Sequence, residues 1–141
     1  MERILNMRTV LQILFLAAAI VVSGCGHHGE IADFGTELYS ATSGMTNAID
    51  SSPSAYGAGQ AYNDFKKTQE QLHEKWVKLL GTRLSKEDKS GLANVVFASR
   101  EKLVDCFDKH AAEFRTDPRF YEAMGSLRTD FEARFNVDDI H

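Results

Sequence analysis

From Ile31 to Phe135, apolar side chains return every three or four residues, and no stretch of useful length alternates with period two. That spacing lines up one face of an α-helix and gives a β-strand no consistent face, so it restricts the chain to helices packed on helices. Four series carry the pattern. The first runs Ile31, Phe34, Leu38, Met45, Ala48, Ile49, and the second Ala55, Ala58, Tyr62, Phe65, Leu72, Trp76, Leu79. The third is Leu92, Val96, Leu103, Cys106, His110, Phe114, and the fourth Phe120, Met124, Leu127, Phe131, Phe135.

Both prolines fall between series. Pro53 follows two serines, and Pro118 follows Asp117, which suits Asp as N-cap with Pro at the first helical position. Ser85-Lys86-Glu87-Asp88 resembles a capping box at the head of the third series. The expected helices span 30–51, 54–81, 86–115 and 118–135. Four amphipathic helices joined by short connections fold most simply as an antiparallel four-helix bundle. The first is the poorest helix former: between Gly35 and Thr46, seven of twelve residues are Gly, Ser or Thr. It is expected to form by packing on the others.

Ahead of the bundle stands a different kind of segment. Arg3 and Arg8 precede a run from Val10 to Val22 in which only Gln12 is polar. As a helix these 13 residues would rise roughly 20 Å, well short of a hydrocarbon core of about 30 Å. The run reads as the apolar region of a cleaved signal peptide. Val22-Ser23-Gly24-Cys25 follows at once. It resembles the lipobox of bacterial lipoproteins: an aliphatic residue, two small residues, then cysteine. The resemblance covers about 25 residues and implies cleavage between Gly24 and Cys25, with a diacylglyceryl thioether on the Cys25 sulfur. Two or three acyl chains, at about 0.8 kcal/mol per buried methylene, anchor a protein stably. Gly26 in place of Asp after the cysteine implies, by the same resemblance, outer-membrane sorting with the protein facing the periplasm in a Gram-negative cell.

The expected organisation is therefore a signal peptide over 1–24, a lipidated tether over 25–30, a helical domain over 31–135 and an acidic tail over 136–141. One core suffices for that length without disulfide staples. Removal of the two leader arginines leaves an acidic remainder, which argues against nucleic acid, where a basic stripe is needed.

Residues able to carry chemistry are few. A lipidated Cys25 leaves Cys106 without a partner in the chain; its place on an apolar stripe reads as a buried thiol, with an intermolecular disulfide as the alternative. His110 lies on that stripe, and no Ser or carboxylate is placed by sequence to complete a relay with it. Glu70 and His73 have the Glu-x-x-His spacing of bundle metal sites, but Glu70 lies on the outer face and no second pair exists. His27 and His28 offer too few ligands for a closed site and read as a polar spacer. Trp76 and the nine phenylalanines read as core.

No catalytic, cofactor or metal residues are thus assigned, and no cofactor is expected. The expectation is a non-enzymatic, lipid-anchored module that binds an envelope protein. In size, anchor and helicity it is similar to pilotin and to entry-exclusion or immunity-type lipoproteins, by architecture alone. A surface made from the Gly/Ser/Thr-rich face of the first helix with Tyr39, Tyr56 and Tyr62 is the expected groove. The alternative is a metal- or small-ligand-binding bundle using His27, His28, His73 or His110.

Overall fold

The computed structural model describes residues 26–141; the leader, the cleavage position and Cys25 lie outside them. The described chain is all-α. Its helices are α1 (His28–Ser51), α2 (Ala55–Leu80), α3 (Lys86–Lys109), α4 (Ala111–Thr116) and α5 (Pro118–Arg134), followed by a 3-10 turn at Val137–Asp139. None is long and apolar enough to cross a membrane.

Local chemistry sets most helix starts. The Ser54 hydroxyl accepts from the Gly57 N–H at the head of α2. At the head of α3 the capping box is complete: the Asp88 N–H donates to Ser85 Oγ (3.0 Å) and the Ser85 N–H donates to Asp88 Oδ2 (3.1 Å). Asp117 caps α5 by accepting from the Phe120 N–H, with Pro118 at the first helical position.

The four long helices alternate in direction along the chain and pack as a bundle. α1 packs on both α2 and α3, α5 closes the other side, and α2 and α3 face each other across the diagonal. Because the 81–85 link crosses that diagonal, α1 and α3 run side by side in the same direction. Their register is constant: His28 meets Asp88, Gly35 meets Val95, and Asp50 meets His110, each pair 60 positions apart. One end of the bundle thus gathers the start of α1, the 81–85 link and the C-terminus. The other gathers the end of α1, the end of α3, α4 and the start of α5.

The helix with the poorest composition is the one most enclosed. Ile31, Phe34, Leu38, Met45 and Ile49 of α1 enter the core, and Gly35, Thr42 and Thr46 are buried with them. Its small residues serve close packing. A Cβ on Gly35 would lie 2.5 Å from Val95 Cγ1 and 2.7 Å from Val95 Cβ, so glycine is what lets α1 and α3 approach. Thr42 stays buried by donating its hydroxyl back to the Leu38 carbonyl (2.7 Å).

Two aromatic groups mark the two ends. Phe34, Trp76 and Phe135 meet near the N-terminal end, with centroids about 6 Å apart. Phe107, Phe114, Phe120 and Tyr121 meet at the other. The second group explains a break in the helix expected over 86–115. The turn tightens at His110, whose N–H bonds to the Phe107 carbonyl three residues back, and the short α4 then brings Phe114 onto α5. No proline or glycine is involved; tertiary aromatic packing bends the chain there.

Regular structure reaches into the segments expected as tether (25–30) and acidic tail (136–141). α1 begins at His28, and Gly26 already lies against the Asp88 carboxylate. At the C-terminus, Val137 and Ile140 pack on the core, and the Asn136 side chain caps the final turn.

Candidate functional site

α1 ends with Ile49 buried in the core and Asp50 on the adjoining edge of the same helix. The parallel register of α1 and α3 delivers that carboxylate to a pair one helical turn apart at the end of α3, Cys106 and the C-cap residue His110. Both are 4 % exposed, whereas the Asp50 side chain keeps 28 % of its surface, so the cluster opens to solvent on one side.

Asp50 Oδ1 is the shared point. It lies 2.7 Å from His110 Nε2 and accepts from the Cys106 thiol at 3.6 Å. Asp50 Oδ2 accepts from the Lys109 ammonium at 3.0 Å. On the far side of the ring, His110 Nδ1 faces Glu113 Oε1 at 3.3 Å. A neutral imidazole has one donor and one acceptor, so only a doubly protonated ring donates to both carboxylates.

Burial alone would raise the Asp50 carboxyl, but hydrogen bonds from His110 and Lys109, and their positive charges, hold it below the ordinary aspartate value. Glu113 is lowered by its own backbone N–H and by His110. Cys106 moves the other way. Burial first, then the neighbouring Asp50 carboxylate, pushes its thiol up to about 12. The thiol is therefore protonated near neutral pH. The thiol and the His110 imidazole both turn toward Asp50 Oδ1, and the thiol's hydrogen bond goes to that carboxylate rather than to the ring.

The residues singled out by sequence fall in separate places. Glu70 is exposed, while His73 is half-buried with its ring edge-on to Phe135, so the two share no site. His27 and His28, expected as a polar spacer, stand at the head of α1: His28 opens the helix with its Nδ1 3.0 Å from Asp88 Oδ1, and His27 sits 3.6 Å from Glu30. The expected tyrosine groove does not assemble. Tyr39 is buried beneath the Lys102 ammonium, Tyr62 donates to Asp130 on α5, and Tyr56 stands exposed at the start of α2. Of the Gly, Ser and Thr residues expected to form it, Gly35, Thr42 and Thr46 are buried, whereas Thr36, Ser40 and Gly44 are exposed. Cys106 is enclosed, which removes it from reach of another molecule's thiol. Asp50 is the residue that sequence reading passed over, and the only hint was an acid directly after the last apolar residue of the first series.

Comparison with known protein families, with curated proteins and with solved structures gives no match. The site is accordingly read from its own geometry.

Proposed function

We propose that this chain is a lipid-anchored helical module that binds another protein at the bacterial envelope through the end of the bundle remote from its anchor. The lipobox supplies the anchor, and the start of α1 at His28, three residues after Cys25, supports a short link between lipid and domain. A lipid on Cys25 would hold the start of α1 at the membrane. The far end of α1, 22 residues on, would then stand about 33 Å above it.

The observation that carries the reading is the aromatic surface at that far end. Tyr121 is 53 % exposed and sits edge-on against Phe107 and Phe114, with the Arg128 guanidinium over Phe107. Tyr56, at the same end, is 73 % exposed. Aromatic and arginine side chains of this kind are the usual anchors of protein interfaces, since they offer large rigid area with a polar tip.

Photo-crosslinking in living cells tests the reading. A crosslinker at position 121 or 56 is expected to yield one adduct of defined mass with an envelope protein. A crosslinker at Val77, exposed toward the opposite end of α2, is expected to yield none. Failure at both tyrosines, or an equal adduct from Val77, overturns the placement of the surface.

A further inference from the structure

We infer that Asp50, Cys106 and His110 form a binding site for a divalent transition metal ion of the zinc type, joining the end of α1 to the end of α3. The three residues contribute one oxygen, one sulfur and one nitrogen, all within 4.8 Å of one another. That mixed donor set is the one that borderline-soft zinc takes, and magnesium or calcium would not accept the sulfur.

One of the ligand separations already matches tetrahedral coordination, and a second lies within a small adjustment of it. With metal–ligand bonds of 2.0–2.3 Å, a tetrahedral site separates oxygen from sulfur by about 3.6 Å and oxygen from nitrogen by about 3.4 Å. The Cys106 Sγ to Asp50 Oδ1 distance is already 3.6 Å. The His110 Nε2 to Asp50 Oδ1 distance of 2.7 Å must open by about 0.7 Å, a side-chain adjustment at the end of α1.

The supporting contacts are those of a metal centre. Ligating histidines give their second ring N–H to a carboxylate, and His110 Nδ1 faces Glu113 Oε1. Ligating carboxylates are themselves hydrogen-bonded, and Asp50 can bind through Oδ1 while Oδ2 keeps the Lys109 ammonium. Cys106 in the last turn of α3 and His110, the residue that caps that helix, stand at i and i+4, so both fall on the side that faces Asp50. Binding moves the thiol proton to solvent and leaves a thiolate on the ion. With the Asp50 carboxylate, that thiolate neutralises the doubly positive charge in a half-buried site. Three protein ligands leave a fourth position on the side where Asp50 is exposed, for water or a donor from another molecule.

Cobalt titration of the full-length chain, purified in detergent and stripped of metal under reducing conditions, provides the test. One equivalent of Co2+ is expected to produce a sulfur-to-cobalt charge-transfer band with tetrahedral d–d bands, and zinc is expected to bleach both. Cys106→Ser should lose the charge-transfer band, and Asp50→Asn should weaken binding at least tenfold, each with helicity retained by circular dichroism. Glu113→Gln should weaken it about tenfold while leaving the band in place, as loss of a carboxylate behind a ligating histidine does. Absence of the band in the wild type overturns the site. So does a band that persists in Cys106→Ser, which would trace the sulfur ligand to Cys25. Binding unaffected in Asp50→Asn removes the oxygen ligand and the link between helices, and with them the proposal.

Discussion

Alanine in place of Gly35 should destabilise the protein, although the same change in an open helical position stabilises one. In a solvent-facing helix interior, Gly→Ala gains about 0.5–1 kcal/mol from reduced unfolded-state entropy and better helix propensity. At Gly35 the added Cβ meets Val95 Cγ1 at 2.5 Å and Val95 Cβ at 2.7 Å. Rotating Val95 about χ1 relieves the first contact and leaves the second, because Cβ moves only with the backbone. Restoring an ordinary separation of about 3.5 Å means parting α1 from α3 by roughly 0.8 Å along their whole register. Overpacking of this kind costs about 1–3 kcal/mol, which set against the propensity gain leaves a net loss of up to about 2.5 kcal/mol. Urea denaturation followed by circular dichroism measures it. Gly44, with nothing within 4 Å of its Cβ position, is the internal control and should gain about 0.5–1 kcal/mol as alanine. Val95→Gly should remove much of the clash, so the Gly35→Ala/Val95→Gly pair should show a favourable coupling above about 0.5 kcal/mol. If Gly35→Ala raises the midpoint as Gly44→Ala does, the close approach of α1 and α3 is wrong.

Two further outcomes follow from buried polar groups. Burial would raise the Asp88 carboxyl, but the Ser85 backbone and hydroxyl, with His28 and His27 nearby, hold it below the usual aspartate value of 3.8. A carboxyl lowered on folding adds stability above its unfolded value, and that stability is lost as pH falls from 3.8 through the folded value. Asp88→Asn keeps an oxygen for the cap but loses the charge, so its stability should fall less steeply between about pH 5 and 2 than that of the wild type; parallel urea-midpoint curves would contradict the reading. Gln69 is fully buried in α2, and neither its amide oxygen nor its nitrogen finds a partner among the described residues. Gln69→Met keeps the volume and removes the desolvated amide, so it should stabilise by about 1–2 kcal/mol by urea denaturation. A loss of similar size would mean that the amide is satisfied in solution.

Much of the fold was legible because helix periodicity and capping chemistry are local. The 3.6-residue pattern and the signals at Ser85 and Asp117–Pro118 set the helices to within about two residues at most ends. What was hidden depended on neighbours. The break at His110 comes from aromatic rings on α5, and no residue near 110 signals it. The parallel register of α1 and α3 follows from a five-residue link crossing the bundle diagonal, which loop length alone does not dictate. Asp50 belongs to the site only through that register, so the sequence offered Cys106 and His110 on one stripe without the carboxylate that joins them. Gly35 and the threonines of α1 read as weak helix formers because propensity describes an isolated helix, whereas here small size is what the packing requires.

The account rests on Cys25 as a lipid attachment site, and metabolic labelling with a radioactive or clickable fatty acid addresses it directly. Wild-type protein should carry the label and run as the processed form, while Cys25→Ser should remain unlabelled and uncleaved. Equal labelling of both, or of neither, would contradict the anchor and with it the orientation that points the aromatic end away from the membrane.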